Sequence, residues 1–267
     1  GALVGINDNM NFRISYQTGF RNPTNQDQYI ALNAGSEVLM GSSPDSVERF
    51  QMDVAGFPIS GAHVFATAID PVALSAGNIV PADLKNVEAE FVRSLEAGFR
   101  LNTSDLSIDL AGYYSDYDNF ISAQQVYVPL FIGPSGTTAE AIGAGALFPF
   151  GVDGNIDEDV KSWGVSFAVE KSLFDNYSLG LVYEHNQLDY TEKAGSTFEP
   201  AFNTPENQVK LSLSGRKLLD NLSFNVSARY YDDYLYQSSF VDAMIDSNVV
   251  IDAQVSMDIE QFDAVLK

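Results

Sequence analysis

Residues 10–23 read MNFRISYQTGFRNP, and their side chains alternate without a break. Phe12, Ile14, Tyr16, Thr18 and Phe20 fall on one parity, and Asn11, Arg13, Ser15, Gln17, Gly19 and Arg21 on the other. A period of two belongs to an extended strand whose successive side chains point to opposite faces. The strand therefore has an apolar face and a polar face carrying two arginines. It runs into Gly-Phe-Arg-Asn-Pro, where proline removes a ladder donor and pairing stops. Repeated along the chain, this design makes a barrel wall.

It is repeated. Residues 2–6 form a short apolar run, and Asn7-Asp8-Asn9 supplies the turn of a hairpin. From residue 89 the alternation returns, with Phe91, Leu95, Ala97, Phe99 and Leu101 opposite Glu90, Ser94, Glu96, Gly98 and Arg100, and Arg93 interrupting the apolar parity. After a tight turn at 102–105, Leu106, Ile108, Leu110 and Tyr114 face outward and Ser107, Asp109, Tyr113 and Ser115 inward. Trp163, Val165, Phe167 and Val169 then oppose Ser162, Ser166 and Glu170, with a turn at Asp175-Asn176 before the next strand, which carries Leu179, Leu181 and Tyr183. Strands around Val209 to Leu213, Leu222 to Tyr230 and Val249 to Ile259 complete about nine, with the start of another at 262–267.

Between them the pattern predicts long connections at one end and tight turns at the other. Residues 22–88 and 122–159 are the longest, and connections of that length are normally functional. The second contains two apolar islands, at 126–133 and 141–151, which are expected to be exposed contact patches. Residues 191–205 and 237–248 are expected to be shorter loops. A soluble β-sandwich shows the same alternation on its core face. It seldom makes every connection at one end long, and here the outward parity is almost free of charge, with Tyr114, Tyr183 and Tyr230 toward the loop ends, as in a membrane girdle.

Composition narrows the chemistry. Against 14 Lys and Arg stand 36 Asp and Glu, a net charge of −22, which repels nucleic-acid phosphates and sets nucleic-acid binding aside. Cysteine is absent and histidine occurs twice, so thiol chemistry is excluded and little remains for a His-based centre. No run approaches the roughly 18 apolar residues of a membrane helix. Residues 1–9 have neither a basic region nor a cleavage site for secretion. Gly143-Ala144-Gly145 continues Ala-Leu-Phe, without the third glycine of a dinucleotide loop, and no Walker, HExxH or GxSxG motif occurs. Asp153, Asp157, Glu158 and Asp159 do not match the spacing of a calcium loop and read as a solvated acidic loop. No enzyme activity, metal or cofactor is expected.

Three segments carry a family resemblance. FRISYQTGFRNPTNQDQY, at 12–29, resembles the Gly-Phe-Arg-x-Pro barrel stretch of TonB-dependent outer-membrane receptors. VEAEFVRSLEAGFRLNTSDLSIDLAGYYSDYDNFI, from residue 87, is similar to a later hairpin of theirs, and FNTPENQVKLSLSG, at 202–215, to an Asn-x-Pro lead into a strand nearer the carboxy end. The resemblance implies an all-β, antiparallel transmembrane β-barrel, here a partial one belonging to a 22-stranded plugged barrel. Residues 1–267 are then its carboxy-terminal portion, with plug and earlier strands absent.

It also implies a location in the bacterial outer membrane and energy-coupled import of a scarce bulky nutrient of the siderophore, oligosaccharide, peptide or cobalamin class. The implied partners are the TonB-ExbB-ExbD system, outer-membrane lipid and a surface lipoprotein. The alternative is a structural or adhesive barrel that binds a partner through its long loops. Arg21, Asp27, Tyr29 and His63 are expected substrate contacts; Arg13, Glu96, Arg100, Asp109, Glu170, Lys210, Arg229 and Asp252 are expected to face the lumen or plug.

Overall fold

A computed structural model describes residues 1–156, 158–191, 200–218, 221–238, 241–259 and 264–266. In chain order the elements begin with β1 (Ala2–Asn7), β2 (Met10–Arg21), α1 (Asn25–Tyr29), β3 (Ala31–Asn33), β4 (Val38–Met40) and α2 (Pro44–Arg49). Then come β5 (Gln51–Val54), β6 (Phe57–Ser60), α3 (Gly61–Thr67), α4 (Pro71–Ser75), β7 (Glu90–Asn102), β8 (Leu106–Asp118) and β9 (Ile121–Pro129). The remainder is α5 (Ala139–Gly143), β10 (Leu147–Asn155), β11 (Val160–Leu173), β12 (Tyr177–Tyr190), β13 (Asn207–Leu218), β14 (Leu222–Tyr231), β15 (Tyr234–Ser238), β16 (Val241–Ile245), β17 (Asn248–Ile259) and β18 (Ala264–Leu266).

Ten of these strands form one antiparallel sheet in the order β1-β2-β7-β8-β11-β12-β13-β14-β17-β18, the nine strands and the beginning of a tenth that the alternation implies. Register aligns the outward parity from strand to strand. Phe12, Phe99, Leu110, Phe167, Tyr183, Val209, Tyr230 and Val249 are successive partners across eight strands. These side chains and their neighbours stand open to the surroundings, with Tyr16 61% and Ile251 70% exposed. Soluble monomers rarely expose a contiguous apolar patch of more than a few hundred Å², and a face that runs across eight strands fits lipid instead.

Charge marks where the apolar band ends. On the outward parity of β11, Lys161 and Lys171 enclose Trp163, Val165, Phe167 and Val169. Lys171 pairs with Asp105 in the tight turn at one end, and at the other Lys161 lies in register with Asp116 and Asp189. Ten residues at about 3.4 Å span ~34 Å along a strand, which a tilt of about 45° reduces to ~24 Å, the height of a barrel's lipid-facing band. The Trp163 indole N–H donates to Asp189 at 3.1 Å and the ring packs on His185, a half-wet, half-apolar pose suited to that boundary.

The two longest connections depart from expectation. Residues 22–89 are not an aperiodic loop: they fold, together with residues 119–159, into a compact cap. Its sheet has the order β3-β4-β10-β9, with β4 and β10 parallel, so each connection contributes two strands. The islands at 126–133 and 141–151 belong to β9 and β10 and to the segments beside them, and are largely the cap's interior rather than exposed patches. Val38 partners Phe150, which partners Val126, and all three are buried; Phe50 meets Phe150 edge-on at 6.5 Å. Among the described residues every buried apolar side chain except Val160 lies in these two connections. Both faces of the wall are open, so among the described residues the conventional core is in the cap.

Local signals explain the cap's short elements. Ser43, Ser60 and Asp70 cap α2, α3 and α4, and Thr24 with Asp27 forms a capping box on α1. Ala55 and Gly56, both at positive φ, close the β5–β6 hairpin in the primed type of two-residue turn. Gly61 starts α3 where a Cβ would sit 2.2 Å from the Val47 carbonyl oxygen, so α2 and α3 approach this closely only because the side chain is missing.

The expected loop at 237–248 also holds structure: β15 and β16 pair as a separate hairpin. Asn203 clips it to the preceding connection, accepting from the Gln237 N–H at 2.7 Å and donating to the Gln237 carbonyl at 2.9 Å.

Candidate functional site

On the inner face four of the expected charges, Arg13, Glu96, Asp109 and Arg100, form a connected chain. Arg13 lies flat over Gly98, where a Cβ would meet its guanidinium at 2.7 Å, and so reaches across β7. It contacts Glu96 at 3.6 Å and Asp109 on β8 at 3.3 Å, and Arg100 Nε donates to the same Asp109 at 2.6 Å. Arg13, Glu96, Glu184, Asn186 and Ser115 line an inner cavity of about 500 Å³. Lys210 and Arg229 are register partners on β13 and β14 and line a smaller one of about 290 Å³. Glu170 and Asp252 lie on the inner parity opposite Gly180 and Ser227 respectively, outside these groupings.

Where the wall meets the cap, the chain encloses a larger cavity of about 570 Å³. The cap is held above it by a clasp. Glu90 is 8% exposed, and its Oε2 accepts from Arg21 at 3.0 Å and from the Ile121 N–H at 3.0 Å, while Arg21 also donates to the Ile121 carbonyl at 3.4 Å. The top of β2, the top of β7 and the root of β9 are thereby fixed together. Asn155 adds a second tether, bonding the Glu88 N–H, the Glu88 carbonyl and the Asn119 carbonyl. Ser42 Oγ adds a third, accepting from the Val87 N–H at 2.9 Å.

Of the expected substrate contacts, the structure brings Arg21 and Asp27 to this cavity. It does not bring Tyr29 or His63. Tyr29 projects half-exposed from α1, and His63 on α3 donates Nε2–H to the Pro129 carbonyl at 2.6 Å inside the cap. Arg21 is the only basic side chain among the described lining residues, and it is committed to Glu90 and Ile121.

Sequence reasoning missed Asp153, which it placed in a solvated loop with Asp157, Glu158 and Asp159. Asp153 instead ends up on β10 in the cavity wall, and Asp157 lies outside the described residues. Burial, with a smaller contribution from nearby Asp27, pushes its carboxyl up to about 7. Gln125 and the rings of Tyr117, Phe120 and Phe202 were missed as well, since each sits on a segment that joins the site only through tertiary folding. No group of three or more carboxylates or imidazoles is arranged to hold a metal among the described residues.

The clasp carries a testable consequence. Glu90→Ala leaves Arg21 and the Ile121 amide without their shared acceptor, a loss of about 1–3 kcal/mol. Limited proteolysis is expected to cut the cap segments faster in this variant while the strands of the wall stay intact. Unchanged cleavage would show that Asn155 and Ser42 suffice to hold the cap.

The chain matches a family model described as TonB dependent receptor-like, beta-barrel, over residues 1–264. Among solved structures it is similar to the FrpB iron transporter from Neisseria meningitidis, with a TM-score of 0.54 and 10% identity over 96% of this chain and 31% of that one. It is similar to the siderophore receptor PirA from Acinetobacter baumannii, at 0.55 and 11% over 97% and 34%. It is also similar to the ferric-catecholate import receptor Fiu from E. coli K12, at 0.52 and 13% over 97% and 28%. At these identities the likeness is one of fold, and the chain spans about a third of the length of those structures. No curated protein matches the chain.

Proposed function

Because the chain belongs to the TonB-dependent receptor β-barrel family, whose members are outer-membrane β-barrel proteins working with TonB, we propose that it forms wall and mouth of a nutrient importer in the bacterial outer membrane. The observation that carries this reading is the cavity of about 570 Å³ held between the folded cap and the top of the wall, above an inner face lined with ion pairs. A solute captured there sits over the lumen. The inner charges, Arg13, Glu96, Arg100, Asp109, Glu170, Lys210 and Arg229, face the plug or the path of the solute.

The nutrient is scarce and bulky, of the siderophore, oligosaccharide, peptide or cobalamin class, and import draws energy from TonB with ExbB and ExbD. Solved neighbours titled as iron and siderophore receptors support the transport part of the reading. A surface lipoprotein is a further candidate partner, docking on the cap. In this reading the cargo passes unaltered, in keeping with a family of receptors and with solved neighbours that are transporters and receptors.

The test is uptake of a labelled nutrient panel by cells carrying the receptor, with and without TonB. Accumulation of one member that needs both the receptor and TonB is the expected result. Binding at the surface with no TonB-dependent accumulation would favour an adhesive barrel instead.

A further inference from the structure

The mouth cavity is more selective than the transport reading alone requires. Among the described lining residues four carry acidic or basic side chains: Arg21 from β2, Glu90 from β7, Asp27 from α1 and Asp153 from β10. Arg21 and Glu90 neutralise each other at 3.0 Å, and the Arg21 amino group that reaches Glu90 also donates to the Ile121 carbonyl, so the pair presents no net charge to a guest. Two carboxyl groups remain without a cation, in a chain of net charge −22. Among the described lining residues no basic side chain lacks an acidic partner, so an anionic complex would enter a negative field with no net positive group to offset it.

The rest of the lining has a different character. Tyr117, Phe120 and Phe202 are half-buried, with Tyr117 and Phe120 set edge to face at 5.6 Å, so apolar ring surface borders the space. Gln125 and the two aspartates add amide and carboxyl groups at separate points of the wall. Aromatic faces suit the C–H faces of sugar rings, and carboxylates accept from hydroxyls without needing a charged guest. A mainly apolar concavity with a few convergent polar groups, in the size range of small-molecule sites, is what such a guest requires.

We propose that the cavity between the cap and the wall binds an uncharged, hydroxyl-rich solute of the saccharide class, with Phe202 and its neighbouring rings supplying a stacking surface and Asp27, Gln125 and Asp153 the hydrogen-bonding groups. The assignment rests on the transport reading above and names its substrate class. It sets an anionic iron complex aside on grounds of charge, although the fold is shared with receptors for such complexes.

The experiment uses the receptor purified in detergent, an array of short neutral oligosaccharides, and two charged probes, ferric citrate and trilysine. One or more neutral oligosaccharides are expected to bind. Phe202→Ala is expected to weaken that binding about tenfold or more, the loss of roughly one good contact. Asp153→Asn keeps a hydrogen-bonding group and is expected to stay within about threefold, whereas Asp153→Leu loses about tenfold. Each variant is kept in the comparison only if it retains heat-modifiable gel mobility and cap resistance to protease.

An array on which nothing binds overturns the proposal, as does ferric citrate binding more tightly than any sugar. Trilysine binding that strengthens from about pH 6 to pH 8 and vanishes in Asp153→Asn would replace it with a cation site. The two readings fail separately. A sugar that binds but is never accumulated through TonB leaves the site standing and removes transport, and an iron complex that is accumulated leaves transport standing and removes the sugar.

Discussion

Replacing Tyr16 with lysine is expected to cost about 2–4 kcal/mol of barrel stability, the depth-dependent cost of an ammonium on the lipid face near the midplane. Tyr16 is the seventh residue of twelve in β2, on the outward parity, with Leu95 as its partner on β7. Its side chain has no protein cover that could hide a charge. The neighbouring Ser15 faces inward, in register with Glu96, so Ser15→Lys meets water and a carboxylate and is expected to change stability by less than about 1 kcal/mol. Urea unfolding of the receptor in lipid vesicles measures both. A neutral Tyr16→Lys with a damaging Ser15→Lys would mean that the wall has been read inside out.

The second large effect is a pH dependence of the cap. Burial holds the Asp153 carboxyl up to about 7, and also raises that of Glu37, which hydrogen-bonds Gln125. An unfolded aspartate releases its proton near 3.8. Between those values the folded cap holds a proton that the unfolded chain does not, so unfolding releases it and rising pH favours unfolding. The Asp153 contribution is therefore fully in place below about pH 4 and is lost as pH rises through 7, to a limit of ~4 kcal/mol at 1.36 kcal/mol for each pH unit.

Asp153→Asn removes the titration. It is expected to stabilise the cap at pH 8 by up to that amount, with the difference fading toward pH 4, as followed by hydrogen exchange at β4 and β10. Destabilisation at pH 8 would show that the ionised carboxylate has a favourable partner in the folded state.

The wall was legible in the sequence because lipid and water impose opposite demands on adjacent residues. Phe12, Ile14 and Tyr16 against Asn11, Arg13 and Ser15 record both environments in six positions, and the same signal recurs wherever the sheet crosses the band. Parity put Arg13, Glu96 and Asp109 on one face of the sheet, but their pairing with one another appears only in three dimensions. The reach of Arg13 over Gly98 depends on a missing side chain two strands into the fold.

The cap was not legible for a physical reason. Its strands are three to nine residues long and its helices five to seven, too short for a period to emerge. The parallel pairing of Val38 with Phe150 joins residues that share no local pattern. An apolar island such as 126–133 looks the same in sequence whether it faces a partner or packs against another part of its own chain. The same limit hid Asp153, since nothing near it announces β4 beside it or Asp27 across the cavity. Arg21 does border the cavity, but its pairing with Glu90 is visible only in three dimensions.

The two-source composition of the cap sheet has a consequence for how the protein is made. β4 comes from one connection and β10 from another, so neither segment can bury Val38 or Phe150 until both have arrived on the same side of the membrane. Each connection on its own can pair part of its apolar residues, as Val126 does with Phe150, but lacks the strand that the other connection supplies beside β4 or β10. Completion of the cap then becomes a late, all-or-none step that locks the hairpins β2–β7 and β8–β11 in place after they have crossed. Once closed, it opposes their withdrawal.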